Sequence, residues 1–516
     1  MDTRRPTDQM DLSRTLTRSA EASGDRVAVR AGEQSVTYRA LDARVDAAAW
    51  VLQQAGVEAG DRVAVVLGNR ITFVVAYHAA LRIGAVAVPL GTPQTAPEVA
   101  HQLTDCRARA IVVGRAYTST IESLRGTLPA LEAVFVADST QRDPGPGMTS
   151  WAAAVQDAEG RRPDPVEVGA DDLALLAYTS GTTGAPKGAM LTHGQLLANQ
   201  RQLQASGGGV DADDVVLCPL PLFHIYALNV AMGPTLSQGA TLELVERFEP
   251  TTTLDLIAAR GVTVVVGAPP MYVAWLNTPG ADQIDLSSVR LATSGAAALP
   301  PRVLRRCREE LDLDVREGYG LVEAGPVVTS SAALPEAVPG SVGVPLDGVE
   351  VRIAEGASGL DEVEPGEPGR VLVRGENVFS GYWEHPDATA EALVDGWLET
   401  GDVGYLDGDR LVLVDRLKDL IIVSGFNVYP VEVEAALMSH PAVDAAAVIG
   451  VPHPYTGEAV KAFVVATPGS EVTADELIAH TGTQVARFKR PESIEFVEEL
   501  PTLPTGKVRR RLLRSA

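Results

Sequence analysis

The stretch that decides the fold is LLAYTSGTTGAPKG, which runs from Leu175 to Gly188. Its apolar start predicts a strand, and the remainder predicts a loop with four aliphatic hydroxyls, three glycines and one lysine. Glycines let the backbone bring several N–H groups toward one anion, the hydroxyls add donors, and the lysine adds a point charge. The spacing is not that of a P-loop. The stretch therefore predicts a phosphate-binding loop between a strand and a helix that begins near Thr192.

Around this loop, short β-branched runs alternate with Ala- and Leu-rich helical stretches from about residue 26 to residue 320. This alternation predicts βαβ units and mostly parallel sheets. From about Val338 to Val414 short strands with turns replace it. We therefore predict an α/β fold with a large N-terminal domain over residues 1–414. This domain contains two βαβ-type sheet subdomains and a β-rich subdomain at 338–414.

The alternating pattern resumes in the last part of the chain, after a charged segment at 415–418. Residues 431–439 and 474–480 are predicted helices, whereas residues 445–449 and 462–465 are predicted strands. About a hundred residues remain here, enough for one more domain. We predict a small α+β domain over residues 419–516.

The charge balance excludes several classes of protein. The 516-residue chain has 43 basic and 67 acidic residues, a net charge of −24, which repels nucleic acid and anionic lipid. Its three cysteines match no disulfide framework or metal-ligand pattern. The N-terminus is polar, and no apolar segment reaches the ~18 residues of a membrane span. We expect a cytoplasmic protein with no nucleic-acid partner and no integral membrane association, and the sequence predicts no oligomeric state.

Residues 178–188 resemble the phosphate-binding loop of the AMP-forming adenylate-forming superfamily, which includes acyl-CoA synthetases and 4-coumarate:CoA ligases. Other segments resemble that superfamily's motifs in the same order, so the resemblance covers nearly the whole chain: Pro219–His224, Ser294–Ala297, Gly318–Glu323, Thr400–Asp402, Asp415–Asp419 and Pro504–Lys507. The resemblance implies a two-step reaction. A carboxylate attacks the α-phosphorus of ATP and pyrophosphate leaves, and a thiol then displaces AMP. Both steps move negative charge, so positioning and fixed positive charge dominate their catalysis.

The resemblance also implies roles for individual residues. Lys507 would contact the carboxylate and the α-phosphate, whereas Glu323, with Thr179, would hold Mg²⁺. Tyr319 would lie against adenine, with the backbone at Gly295–Ala296 on the other side of the ring, and Asp402 would bind the ribose hydroxyls. The full set of predicted nucleotide- and cofactor-binding residues is Thr179, Ser180, Gly181, Thr182, Thr183, Lys187, Gly295, Ala296, Gly318, Tyr319, Gly320, Val322, Asp402, Arg416, Lys418 and Gly425.

Two members of that set belong to the predicted domain movement. The resemblance implies that Lys418 lies in a hinge at 415–418, which makes the small domain mobile. Gly425 belongs to a segment that would approach the acyl-adenylate and shape a thiol tunnel. Glycine would permit a close approach of the backbone there. The resemblance thus implies that the small domain swings between the two half-reactions.

Val322 departs from the family pattern, which usually has Thr or Ser before the glutamate. Valine cannot donate a hydrogen bond to the α-phosphate, and the loss of one charge-assisted bond costs about 1.5–3 kcal/mol. We therefore expect slower adenylation or an altered AMP pose, with the site retained.

The acid-binding residues are predicted to be His224, Tyr226 and Met271. His224 is also predicted to be catalytic, with Lys507 and Glu323, and would either contact the carboxylate or gate the pocket. Residues 223–229 resemble 4-coumarate:CoA ligases, whereas residues 420–430 resemble bacterial fatty-acyl-CoA synthetases. Residues 269–275 offer apolar and aromatic walls without an arginine that would pair with a second carboxylate. We predict an acyl-CoA synthetase for a hydrophobic monocarboxylic acid of fatty or aryl type, with ATP, Mg²⁺ and coenzyme A.

Three alternatives remain open at this point. The acceptor thiol could belong to a carrier protein, the activated oxyanion could be nitrite, or the chain could be a degenerate nucleotide-binding protein. A degenerate protein would be expected to lose the functional lysines or the metal-binding glutamate. Lys187, Glu323, Asp402, Arg416 and Lys507 are all present, which argues against it.

Overall fold

The structure is a computed structural model that describes residues 11–92, 94–139, 144–179, 186–356, 358–416, 419, 421–423, 426–454, 456–502 and 508–514. Within these ranges the strands form four sheets, two large and two small. The predicted mixed α/β class, with large sheets in the N-terminal part and a small C-terminal unit, is confirmed. The domain boundaries at 414 and 418 stay a prediction.

The first large sheet has nine strands in the described residues. Its members, in spatial order, are β16 (Val344–Pro345), β15 (Val327–Ser330), β14 (Val315–Gly320), β13 (Leu291–Ser294), β12 (Val264–Gly267), β10 (Val215–Cys218), β11 (Thr241–Leu244), β1 (Val27–Ala31) and β2 (Gln34–Thr37). The six strands from β14 to β1 run parallel, and the strands beyond them at each edge are antiparallel.

The second large sheet has eight strands among the residues described. In spatial order they are β19 (Gly381–Tyr382), β9 (Lys187–Thr192), β8 (Leu173–Thr179), β4 (Val86–Pro89), β3 (Arg62–Val66), β5 (Ala110–Val113), β6 (Ala133–Val136) and β7 (Thr149–Ser150). The strands from β8 to β7 are parallel, as the βαβ pattern predicts, and β9 and β19 are antiparallel additions.

The helices of the N-terminal part pack on these sheets. They are α1 (Thr15–Ser23), α2 (Tyr38–Gln54), α3 (Ile71–Arg82), α4 (Ala96–Asp105), α5 (Thr118–Leu124), α6 (Trp151–Asp157), α7 (His193–Ala205), α8 (Gly233–Gln238), α9 (Pro250–Arg260), α10 (Pro269–Leu276), α11 (Pro301–Leu311) and α12 (Pro386–Ala392). One continuous hydrophobic core joins side chains of both large sheets with those of α2 and α3. Every residue of α3 from Phe73 to Leu81 is buried, which is typical of a helix enclosed on all sides.

The two small sheets follow in the chain. The first contains β17 (Val349–Ala354), β18 (Gly369–Gly375), β20 (Leu393–Val394), β21 (Trp397–Asp407) and β22 (Arg410–Arg416). The second contains β23 (Ile421–Val423), β24 (Phe426–Val428), β25 (Val443–His453), β26 (Gly457–Ala466) and β27 (Ser493–Phe496), with α13 (Pro430–Met438), α14 (Ala474–Thr481) and α15 (Arg510–Leu513). The second sheet and its helices have a hydrophobic core of their own.

One local expectation was incomplete. The sequence predicts that the loop after Thr179 leads into a helix, but β9 lies between them and forms a hairpin with β8. The apolar run Ala189–Leu191 supplies this strand, and Thr192 caps α7 by accepting a hydrogen bond from the Gln195 amide at 3.2 Å. Lys187 is therefore held in a strand.

No helix in the part of the chain that the structure describes is long and apolar enough to cross a membrane. Cys106, Cys218 and Cys307 are buried free thiols, and burial raises the pKa of each to about 12.

Candidate active site

The sequence motifs meet at the carboxyl ends of parallel strands from both large sheets. β10 leads into Pro219–His224, β13 leads into Gly295, and β14 ends at Gly320. β8 ends at Thr179. In open α/β sheets this edge is where ligands bind, because the loops that leave the strands converge there.

Tyr319 and Asp402 are 83 positions apart in the chain and are in direct contact. The Tyr319 hydroxyl donates to Asp402 Oδ2 at 2.6 Å. The Asp402 side chain is buried, and its amide donates to Thr400 Oγ1 at 3.1 Å. In the ladder between β21 and β22, Asp402 pairs with Arg416. The structure thus brings together the predicted adenine-binding tyrosine, the predicted ribose carboxylate and the backbone of Arg416.

Gly295 and Ala296 form a tight turn after β13. A Cβ at Gly295 would lie 2.9 Å from Tyr226 Cζ, so glycine is required for the Tyr226 ring to lie against this backbone. Ala296 has a φ of +68°, a conformation that favours glycine and is strained for alanine. This segment is where the sequence places the second face of the adenine site, and positive φ at a non-glycine residue is typical of functional loops.

The predicted acid-binding residues lie beside this turn. Tyr226 and Thr293 share a hydrogen bond of 3.0 Å between their hydroxyls, and the Tyr272 hydroxyl donates to the Thr293 carbonyl at 2.7 Å. Burial raises the pKa of Tyr226 to about 12, so the phenol is neutral at physiological pH. Met271, next to Tyr272, is buried in the same core that Tyr226 packs against. This region is aromatic and apolar.

His224 begins the helical turns that carry Tyr226. Its Nδ1 accepts a hydrogen bond from the Tyr226 amide at 3.3 Å, which places the proton of a neutral ring on Nε2. Asn69 is buried under the preceding loop. Its Oδ1 accepts a hydrogen bond from the Leu222 amide at 2.8 Å, and its Nδ2 donates one to the Leu220 carbonyl at 2.8 Å. This asparagine fixes the path of the loop that leads to His224.

Glu323 follows β14 and contacts a residue of β19. The Tyr382 hydroxyl donates to Glu323 Oε1 at 2.7 Å, and Lys187 Nζ lies 5.3 Å from the centre of the Tyr382 ring. Lys187 pairs with Thr179 across the hairpin, and the Thr179 hydroxyl donates to the Lys187 carbonyl at 3.5 Å. Lys187 and Glu323, which the sequence analysis selects separately, therefore both contact Tyr382, and Thr179 lies beside Lys187.

Sequence reasoning missed Tyr382. It lies in β19, a short strand that leaves the predicted β-rich segment and pairs with β9 of the second large sheet. Burial raises the pKa of the Tyr382 phenol, and the neighbouring charge of Glu323 raises it further. The phenol therefore stays protonated and remains a donor to Glu323. The aromatic pair Tyr382–Trp383 after Gly381 was the signal available in the sequence.

The Gly318–Gly320 segment has a shape that side chains would block. A Cβ at Gly320 would lie 1.9 Å from the Pro326 carbonyl oxygen, which also accepts the Leu321 amide at 2.9 Å. A Cβ at Gly318 would lie 3.3 Å from the Thr329 carbonyl oxygen. The chain therefore folds back sharply after Gly320, and this turn presents Glu323. The Val322 side chain packs against the apolar core.

Buried amides hold the segment that follows Glu323, and sequence reasoning missed them. Asn377 Nδ2 donates to the Ala324 carbonyl at 2.7 Å, and Asn229 Nδ2 donates to the Gly325 carbonyl at 2.7 Å. Asn199 donates to the Val327 carbonyl at 2.8 Å and accepts the Val327 amide at 3.1 Å. Since buried polar groups are costly unless paired, these bonds specify one position for the segment.

Glu317 is a second buried carboxyl that the sequence analysis did not select. Its Oε1 accepts the Leu299 amide at 3.3 Å, and burial raises its pKa to about 8. It stands one residue before Gly318, and Leu299 follows the Gly295–Ala296 turn. Glu317 thus connects the two segments predicted to enclose adenine.

Several predicted residues lie outside the part of the chain that the structure describes. They are Ser180, Gly181, Thr182 and Thr183 of the phosphate loop, with Lys418, Gly425 and Lys507. The structure describes the backbone of Arg416 but not its side chain. The roles of all these residues stay predictions.

Comparison with known proteins assigns the chain to a family. The profile of the AMP-binding enzyme family matches residues 16–383, and that of the AMP-binding enzyme C-terminal domain matches residues 432–507. The chain belongs to the AMP-binding enzyme family. The Gly295–Ala296 turn, Tyr319, Glu323 and Tyr382 lie within the first match, and Asp402 lies between the two matches.

Relatives in this AMP-binding family match the chain over almost its full length. It is 41% identical to a feruloyl-CoA synthase of Amycolatopsis sp, over 95% of this chain and 96% of that protein. It is 34% identical to a long-chain-fatty-acid–CoA ligase of Bacillus subtilis (strain 168), over 98% and 95% of the two chains. The ATP-bound crystal structure of MatB from Rhodopseudomonas palustris superposes with a TM-score of 0.89 at 33% identity, covering 98% of this chain and 99% of that one.

Proposed function

We propose that the protein is an AMP-forming acyl-CoA synthetase that activates a hydrophobic monocarboxylic acid, of the arylpropenoic class in the first instance. The observation that carries this proposal is the meeting of Tyr319 with Asp402 and of Tyr382 with Glu323 at one edge of the sheets. The 41% identity to a feruloyl-CoA synthase over 95% of the chain supports both the reaction and the acid class.

In this proposal the nucleoside of ATP lies between Tyr319 and the Gly295–Ala296 turn, with its ribose on Asp402. A buried carboxylate is an acceptor for two vicinal hydroxyls, and Tyr319 already fixes one of the Asp402 oxygens by donating to it. We propose that Arg416, whose backbone pairs with Asp402 in the ladder, binds the same sugar. The phosphates extend toward Lys187 and the loop that follows Thr179.

The residues around Glu323 fit Mg²⁺. This cation is usually held by one or two carboxylates together with substrate phosphates and water, and Glu323 with the Thr179 hydroxyl provides such a partial set. A bound Mg²⁺ would neutralise phosphate charge during the displacement of pyrophosphate. The Tyr382 hydroxyl orients the carboxylate by occupying Oε1.

The chain's own groups supply the rest of the first half-reaction. Lys507 neutralises the charge shared by the attacking carboxylate and the α-phosphate, and the N–H groups and hydroxyls of residues 179–184 bind the leaving pyrophosphate. The AMP that forms keeps its contacts with Tyr319 and Asp402. In the second half-reaction the small domain rotates about residues 415–418. This rotation withdraws Lys507 and brings Gly425 to the adenylate, so that the thiol of coenzyme A can enter.

The acid site is proposed at the end of β13, where Tyr226, Met271 and Tyr272 meet. No charged side chain takes part in the contacts described there, which suits an uncharged acyl group. The neutral Tyr226 phenol provides one polar contact for a ring substituent. His224 precedes this wall in the chain, and we propose that it contacts the carboxylate of the acid.

The test is a pyrophosphate-release assay with ATP and a panel of ferulic, cinnamic, benzoic and fatty acids, with and without CoA. We expect AMP and acyl-CoA in equal amounts, with the highest kcat/KM for an arylpropenoic acid. Acyl-adenylate without acyl-CoA, rescued by a phosphopantetheinyl carrier protein, would contradict the CoA assignment. Turnover with nitrite and an aryl amine but with no carboxylic acid would contradict the acid assignment, and no turnover at all would contradict the enzyme.

A further inference from the structure

A cavity of about 390 Å³ lies between α1, α7 and α8, apart from the candidate active site. This volume falls within the roughly 300–1,000 Å³ of typical small-molecule sites. Its lining residues combine three kinds of chemistry: the cationic residues Arg18 and Arg201, the amide residues Gln200 and Gln204, and the apolar residues Leu197 and Pro234. Neither the proposed reaction nor the family's motifs use this cavity.

The charge of the cavity is opposite to that of the chain. No ion pair or hydrogen bond joins the Arg18 side chain to another residue in the described ranges, and the nearest carboxylate to Arg201 is that of Glu376, at 3.8 Å. The Arg201 side chain is about half exposed, and that of Glu376 is largely exposed. On a chain with a net charge of −24, two guanidinium groups in one concave surface form a local site for an anion.

One wall of the cavity is connected to the candidate active site. Gln200 is only 7% exposed, and its Nε2 donates to Asn229 Oδ1 at 2.7 Å. Asn229 in turn donates to the Gly325 carbonyl at 2.7 Å, two residues after Glu323. Asn229 belongs to a π-helical segment, Ala227–Met232, and such segments occur frequently at functional sites.

We propose that this cavity is a second binding site, which takes a small organic carboxylate with an apolar part and communicates with Gly325 through Gln200 and Asn229. The guanidinium pair binds the carboxylate, and Leu197 and Pro234 cover the apolar part, which favours an organic acid over inorganic phosphate. An occupant in contact with Gln200 changes the geometry of its bond to Asn229. The binding itself does not depend on the proposed acyl-CoA synthetase activity.

The binding is tested by calorimetric titration of the full-length protein with benzoate. The variants are the double substitution Arg18→Leu/Arg201→Leu and the control Arg44→Leu, an exposed arginine on α2 that does not line the cavity. We expect two bound equivalents in the wild type and the control, and one in the double variant. If the proposed acyl site does not accept benzoate, we expect one bound equivalent in the wild type and the control, and none in the double variant. The loss of one equivalent in the double variant is therefore diagnostic in either case.

Equal stoichiometry in the wild type and the double variant would overturn the proposal, as would inorganic phosphate displacing benzoate at equal concentration. Because Arg18 is exposed and the Arg201 side chain is about half exposed, the double variant should fold normally, which its thermal midpoint checks.

The communication is tested by hydrogen exchange of residues 322–327 with and without benzoate. We expect benzoate to change the exchange rates at least twofold in the wild type and in the control Gln204→Leu, which lines the cavity without bonding Asn229. In Gln200→Leu we expect benzoate to bind without that change. A change of equal size in Gln200→Leu would refute the communication and leave the binding result standing.

Discussion

Replacing Glu317 by glutamine should make the protein more stable at high pH and leave its stability at low pH nearly unchanged. Glu317 is 6% exposed, and burial raises its pKa from 4.5 to about 8, opposed by the hydrogen bond from the Leu299 amide. No charged group in the described residues contributes to this shift. The carboxyl is therefore protonated in the native protein at neutral pH, where the unfolded chain has already released its proton.

The sign and size of the effect follow from linkage. Between pH 4.5 and 8 the native state binds one more proton at Glu317 than the unfolded state, so raising the pH destabilises the native state. A pKa of about 8 against 4.5 corresponds to about 5 kcal/mol across that window, at about 1.4 kcal/mol per tenfold change. Rearrangement around the ionised group reduces this value, so we expect about 2–5 kcal/mol. Glutamine keeps the acceptor for Leu299 and does not titrate.

The assay is the thermal midpoint of the wild type and of Glu317→Gln from pH 5 to pH 8.5, at one scan rate. At about 2.1 cal/mol/K per residue, a cooperative unit of several hundred residues shifts by roughly 1–2 °C per kcal/mol, so we expect the variant to gain about 3–8 °C between pH 5 and 8. The control is Glu122→Gln, an exposed glutamate on α5. A difference between Glu317→Gln and the wild type that is independent of pH, or is matched by the control, would refute the reasoning.

Four further substitutions test the candidate site. Lys507→Ala should abolish acid-dependent ATP–pyrophosphate exchange in a folded protein, and unchanged exchange would remove the role given to this lysine. Gly425→Leu should spare exchange and block thioester formation; an equal loss of both half-reactions would argue against a domain movement between them. Tyr382→Phe removes a charge-assisted bond of about 1.5–3 kcal/mol and should lower kcat/KM for adenylation about 10- to 100-fold, with a higher Mg²⁺ requirement. Val322→Thr is isosteric and adds a hydroxyl donor, worth about 1.5–3 kcal/mol, so it should raise the exchange rate about 10- to 100-fold, whereas the smaller control Val322→Ala adds no donor and should not.

Local patterns predicted the elements well where the polypeptide's own periodicity determines them. The predicted helices at 431–439 and 474–480 are Pro430–Met438 and Ala474–Thr481 in the structure. The predicted strands at 445–449 and 462–465 are the middle of β25 and β26, which pair with each other from Val443 to His453. The strands extend further than their apolar runs because ladder hydrogen bonds, rather than side-chain character, determine where a strand ends.

The candidate site was predictable from sequence where a motif stands in one segment, and not where contacts cross between segments. Tyr319 and Asp402 were both selected, and the structure adds that they are hydrogen-bonded to each other. Neither Tyr382 nor Asn229 was selected from its local sequence, since the importance of each arises only when β19 joins β9 and when the π-helical segment packs behind Gly325. Pairing between distant strands is not encoded in any short window of sequence.

The position of Val322 explains how the chain departs from the family pattern without losing the geometry of its site. The turn that presents Glu323 is fixed by backbone contacts, namely the Gly320–Pro326 approach and the Leu321 amide on the Pro326 carbonyl, and by the Asn377 bond to Ala324. None of these contacts uses the side chain at position 322, which packs into the core. Valine has no hydroxyl to donate, and it leaves the carboxylate of Glu323 in place. The expected consequence is therefore a slower first half-reaction with unaltered metal and nucleoside binding, a split between kcat and KM that a distorted site would not produce.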